Sequence, residues 1–227
     1  MVLKTIIFDF DDTLIFSTQQ HVESFKSAAN KYGLSINEKE ITKLFGKPVL
    51  EILKQVFPDI NTSQLEKIKD EKEKRYEEII QEKKPKLLKG VTQLLQYLSK
   101  HDFNIGILSS DSIVNIKLIL EKNKISNYFD KIMGSEDSKS HKPQPNGLLK
   151  IAKKMKSRAD ECIYIGDSKY DMMAACNANM IGIGVATGHY SKTELKSQGA
   201  SIVFDDLTEV FEFMESSKIL DQCIRLK

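Results

Sequence analysis

Three carboxylates stand almost side by side near the start of the chain, in Phe8-Asp9-Phe10-Asp11-Asp12-Thr13-Leu14, directly after an apolar run. Like charges repel, so a fold tolerates such a group mainly where a cation or a shared proton offsets the cost. Alternation along an extended chain puts Asp9 and Asp11 on one side, close enough to share one divalent cation or one phosphoryl group. One Asp at a strand end commonly just caps a turn; three at this spacing fit that role poorly. Later in the chain, Ser109 and Ser110 close the run from Asn104, Lys142 sits in His141-Lys142-Pro143-Gln144-Pro145, and Asp167 and Asp171 flank Ser168-Lys169-Tyr170 after Gly166. Singly, each has an ordinary explanation. Ser110 and Asp111 suit a helix start, Gly-Asp-Ser suits a turn and cap, and Asp171 suits a first helical turn.

These groups act together only if the fold gathers them. Continuous apolar runs predict buried strands over Val2–Phe10, Phe103–Leu108, Cys162–Ile165, Ile181–Val185 and Ile202–Phe204. Helical periodicity fills the gaps at Val91–Lys100, Ser112–Asn123, Gly147–Lys156, Ser168–Ala178 and Leu207–Met214. Strand alternating with helix implies an α/β fold with a doubly wound, Rossmann-like parallel sheet, whose functional side chains collect at the carboxyl ends of the strands. Residues 17–86 break that rhythm. They carry helix signals at His21–Tyr32, closed by Gly33, from Pro48 through Val56, and over Ser63–Lys84. The last is dense in Glu and Lys at spacings of three and four, and its alternating signs read as a solvated helix face. The expected organisation is a core of residues 1–16 and 87–227 with an inserted all-helical domain at 17–86.

With the motifs in this order, the chain resembles the haloacid dehalogenase superfamily: DFDDTL is similar to its first motif, the Ser109-Ser110 strand end to its second, Lys142-Pro143 to its third and Gly166-Asp167 with Asp171 to its fourth. Four motifs at predicted strand ends or helix starts give one another the context that each lacks alone. The resemblance implies that Asp9 is a nucleophile and Asp11 an acid that becomes a base. It implies that Ser109 and Ser110 hold phosphoryl oxygens and that Lys142 neutralises both the phosphate and Asp9. It also implies Mg2+ held by Asp9, the backbone carbonyl of Asp11 and Asp167, with Asp171 as an outer or occasional ligand. Dehalogenases of this superfamily lack the second acid, so Asp11 speaks against dehalogenation.

An insertion after the first motif resembles the helical cap of the phosphoglycolate phosphatase and β-phosphoglucomutase subgroup, which closes over the substrate. Lys47, in Phe45-Gly46-Lys47-Pro48, falls where that subgroup has its specificity loop, and His21 where its mutases also carry His. The alternatives are a turn lysine and a helix-face histidine. Phe16-Ser17 departs from the acid-plus-hydroxyl pair of many relatives, which leaves the substrate open. The implied activity is Mg2+-dependent hydrolysis of small phosphate monoesters, phosphoglycolate-like, sugar or nucleotide, through an aspartyl-phosphate. A phosphomutase or a pyrophosphatase is the alternative.

Composition narrows the classes. A net charge of +2 over 227 residues, with 29% charged and 41% hydrophobic, gives no field for nucleic acid or an anionic membrane. The apolar run ending at Asp9 is too short for a signal core or a spanning helix. Cys162, Cys176 and Cys223 make no disulfide framework and no CxxC spacing, so they are expected as reduced thiols. A cytoplasmic enzyme is expected, monomer or homodimer, whose partner is a small phosphorylated metabolite.

Overall fold

Strand β1 (Thr5–Phe8) has every side chain fully buried, and its alternation feeds two separate cores: Ile6 and Phe8 pack on one face of the sheet, Ile7 on the other. Burying side chains of this size contributes roughly 1.5–3 kcal/mol each, which ties the strand that carries Asp9 to the centre of the molecule. The computed structural model describes residues 3–137 and 140–216. After β1 come a short pair, β2 (Ile15–Phe16) and β3 (Lys86–Leu87), and then β4 (Asn104–Leu108), β5 (Lys131–Met133), β6 (Cys162–Gly166), β7 (Ile181–Val185) and β8 (Ile202–Phe204). Six of them make a parallel sheet in the order β5-β4-β1-β6-β7-β8. The chain therefore leaves β1 to build one half of the sheet and returns to build the other. β1 is flanked by β4 and β6, and the crevice at such a reversal is where this architecture binds ligands.

Between β2 and β3 lie α1 (Thr18–Asn30), α2 (Glu38–Thr42), α3 (Val49–Val56) and α4 (Thr62–Glu82). They share an apolar cluster of their own, with Val22, Phe25, Ile41, Leu53 and Ile68 at its centre. The antiparallel pair Ile15↔Leu87 and Phe16↔Lys86 joins the strands at the two ends of this helical layer. The remaining helices are α5 (Val91–Lys100), α6 (Ile113–Lys122), α7 (Asn146–Lys154), α8 (Lys169–Asn177), α9 (Lys192–Ser197) and α10 (Leu207–Glu215). α5, α6 and α10 cover the Ile6–Phe8 face, and α7 and α8 the Ile7 face.

Three expectations change. The first strand is shorter than Val2–Phe10, because the chain turns after Phe8 and Asp12 takes a left-handed conformation at φ 51. β5 and α2 were not anticipated: Lys131 and Ile132 are only half-buried, and five helical residues are too few for periodicity to register. The charged helix α4 is not solvated throughout, for Lys72 lies on its buried stripe with Leu65, Ile68, Tyr76 and Ile79 and is 2% exposed. Cys162 and Cys176 are free thiols, and Cys223 lies outside the described residues. Among the described residues no helix is long and apolar enough to cross a membrane.

Candidate active site

Strand register builds the floor of the site. Phe8 is level with Ile107 on β4 and with Ile165 on β6, and the Asp9 amide donates to the Ile165 carbonyl at 2.8 Å. Asp9, Ser109 and Asp167 therefore leave adjacent strand ends at one edge of the sheet. Ser168 caps α8 through a capping box with Asp171, which fixes that carboxylate one turn beyond Asp167. Lys142 arrives from the segment before α7. Its Nζ lies 2.8 Å from Asp9 Oδ1 and 2.7 Å from Asp171 Oδ1, and it donates to the Tyr164 hydroxyl at 3.2 Å.

This group is short of positive charge. Asp9, Asp167 and Asp171 are all buried, with ligand oxygens within 4.8 Å of one another. Three carboxylates against one ammonium leave two negative charges. Burial and the neighbouring Asp171 push the Asp9 carboxyl up to about 7. Burial, then Asp171 and Asp9, drive Asp167 well above the carboxylate range. Lys142 loses solvation too, yet Asp171 and Asp9 hold its pKa above the ordinary lysine value. Hard oxygen donors with a deficit of two charges match a small divalent cation.

The other two acids of the first motif go elsewhere. Asp11 does not join the three-acid group; its Oδ1 lies 3.1 Å from His21 Nε2 on α1. Asp9 and Asp11 nevertheless line one cavity, although the strand has ended before Asp11. Loss of solvent raises the Asp11 carboxyl, but the charge and hydrogen bond of His21 outweigh it and leave it below its usual value. Asp12 accepts the amides of Ser17 and Thr18 at 3.1 and 3.2 Å and so anchors the start of α1. His21 also stacks on Tyr76 of α4, with ring centroids 4.1 Å apart.

A single cavity joins the two layers. Asp9, Asp11, Ser109, Ser110, Lys142 and Asp167 line it from the sheet, and His21, Phe25, Phe45, Lys47 and Lys72 from the helices. Every expected site residue lines this cavity except Asp171, which stands behind it against Lys142. Ser109 Oγ accepts the amide of Asp111 at 3.0 Å, which shapes the loop. Lys47 sits over the ring of Tyr170 at 5.6 Å. Just before it, Gly46 has φ +94 and passes so close to Tyr170 and Ser168 that a Cβ there would be crowded at 3.0 Å. Here the helical layer meets the fourth motif closely, and glycine fits both demands.

Sequence reasoning missed four contributors. Lys72 was hidden in the charge run, and Asp111 passed as a helix start, although the N-cap of α6 is Ser112. Thr13 donates to Asp167 Oδ1 at 2.9 Å, and Gly188 abuts Asp167 so closely that any Cβ would strike the carboxylate. The glycine following Ala186-Thr187, just after a predicted strand, was the one available signal for the last of these.

The sequence profile described as haloacid dehalogenase-like hydrolase matches residues 6–185. Among known proteins, pyrophosphatase PpaX of Bacillus mycoides is 22% identical, over 94% of this chain and 98% of its own. Among solved structures, a hydrolase from Pseudomonas syringae is 28% identical with a TM-score of 0.84, covering 94% of this chain and 98% of that one. A β-phosphoglucomutase from Clostridium difficile is 26% identical with a TM-score of 0.83, over 95% and 96% of the two chains. Sheet order, strand-end acids and profile agree, and the chain belongs to the haloacid dehalogenase-like hydrolase family.

Proposed function

We propose that the protein is a Mg2+-dependent phosphatase of small phosphate monoesters that works through an aspartyl-phosphate on Asp9. The observation that carries this reading is the buried Lys142–Asp9 contact at 2.8 Å beside two further acids. Monoester hydrolysis needs charge neutralisation and in-line positioning of two oxygens more than it needs covalent novelty. Asp9 attacks phosphorus, forming an Asp9–phosphorus bond as the bond to the leaving oxygen breaks. Asp11, backed by His21, protonates that oxygen. It then takes a proton from water, which attacks phosphorus, breaks the bond to Asp9 and releases inorganic phosphate. Lys142 holds a fixed positive charge beside the attacking oxygen, and Ser109 and Ser110 orient the phosphoryl oxygens. Asp9, the Asp11 carbonyl and Asp167 would hold Mg2+, with Asp171 outside them; the ion would neutralise the phosphoryl oxygens.

In this reading residues 17–86 are a cap over a core of 1–16 and 87–227, and they exclude water while selecting what lies beyond the phosphate. A second reading, a phosphomutase, has one observation in its favour: the His21–Asp11 pair at 3.1 Å, on the helical layer where a shield against water would sit. The test is phosphate release from a panel of monoesters with Mg2+ and then with chelator. Steady release from several esters that stops with chelator supports the hydrolase. Slow release from a single hexose phosphate supports the mutase, and none from any ester refutes both.

A further inference from the structure

Beyond the phosphoryl-binding floor, the cavity has a second half with two buried groups that the mechanism does not use. Asp111 lines it and is 7% exposed. Its Oδ1 accepts the Ser112 amide at 2.7 Å and the Asn115 side chain at 3.0 Å, but its Oδ2 is buried without a hydrogen-bond partner. Lys72 is the other. Its Nζ makes one long contact with Glu73 at 3.4 Å and otherwise lies over the rings of Tyr76 and Phe25, at 4.8 and 5.3 Å. An unsatisfied buried polar atom costs about 1–3 kcal/mol, so the orphaned Oδ2 of Asp111, a residue that lines the cavity together with Lys72, points to a ligand that completes it.

The chemistry of that ligand follows from the balance of the lining. On this side the cavity presents Asp11, Asp12, Asp111 and Glu73 against Lys47, Lys72 and His21, which pairs with Asp11. The surplus is acidic, and a second anionic group on the substrate would enter an unfavourable field. A hydroxyl group suits it better, because it donates to a carboxylate and accepts from an ammonium at once. Phe25 and Phe45 add an apolar wall for the carbon skeleton.

We propose that Asp111, with Lys72 opposite, is a specificity-determining residue that selects a neutral, polyhydroxylated leaving group, a sugar or polyol, over an anionic one such as a second phosphate or a carboxylate. This rests on the phosphatase reading and adds the substrate class. It separates this chain from relatives that are named pyrophosphatases.

The test compares kcat/KM for glucose 6-phosphate and glycerol 3-phosphate with that for inorganic pyrophosphate and phosphoglycolate, in the wild-type protein and in Asp111→Asn. The wild type is expected to favour the hydroxylated esters, and Asp111→Asn to lower the hydroxylated-to-anionic ratio about tenfold or more. A wild-type preference for pyrophosphate or phosphoglycolate overturns the proposal without any variant. So does a variant that slows all four substrates equally, since that is the mark of a merely structural carboxylate. No release from any ester, including p-nitrophenyl phosphate, removes the phosphatase reading itself. Release with a flat profile removes only the selectivity.

Discussion

The two halves of the cavity are built in opposite ways. On the floor, the acids stand on strand ends and a capped helix start, Lys142 reaches in from the segment before α7, and each charge has a partner within 3 Å or another charge beside it: Lys142 with Asp9 and Asp171, Asp167 with Thr13. On the roof, the polar groups come from α4 of the helical layer and from the loop after β4, and several lack partners: Asp111 Oδ2, the Tyr76 hydroxyl, and most of the capacity of Lys72. A floor of fixed charges around the phosphoryl site serves every substrate alike. A roof with unmet hydrogen bonds is where one substrate is told from another.

Variants sharpen this contrast. Asp11→Asn removes the proton carrier at the seam and is expected to lower turnover by about 10²–10⁴-fold for every substrate, read as kcat. A uniform rise in KM with kcat unchanged would instead make Asp11 a binding group. Lys142→Met strips the floor of the buried cation that pairs with Asp9 and Asp171, so the metal-free protein is expected to lose about 3–5 kcal/mol in denaturant unfolding. Retained stability would mean that the floor is not held by that ion pair.

The smallest effect is a pH signature of the roof. Burial, then the charge of Asp11, pushes the Asp111 carboxyl up to about 7 from an ordinary 3.8. Between those values the folded protein binds more protons than the unfolded chain, so this group makes stability fall as pH rises from about 4 to about 7, and the loss is constant above. Asp111→Asn is expected to flatten that part of the melting profile. An unchanged slope would place the ionised carboxylate at no cost and contradict its burial.

The same contrast decides what could be read from the sequence. Floor residues follow apolar runs, so Asp9, Ser109 and Asp167 announce their positions through the strand that precedes them, and the parallel sheet follows from the same runs. Asp11 lies past Phe8, where the strand stops, so alternation alone could not show that it pairs with His21 instead of joining the three-acid group. The roof depends on which face of a charged helix turns inward. Lys72 lies among Glu71, Glu73 and Lys74, and only its spacing of four from Tyr76 and Ile68 separates it from solvated neighbours. Asp111 carries no local mark at all: its unmet oxygen exists only once α4 and the β4 loop are packed together.

The central claim is that Asp9 carries the phosphoryl group. Acid quenching during turnover, followed by borohydride reduction and peptide mass spectrometry, converts an aspartyl-phosphate to homoserine at the residue that bore it. Homoserine at position 9, absent without substrate and absent in Asp9→Asn, is the predicted result. Turnover with Asp9 unmodified, or homoserine at Asp11, Asp167 or Asp171 instead, would contradict the account.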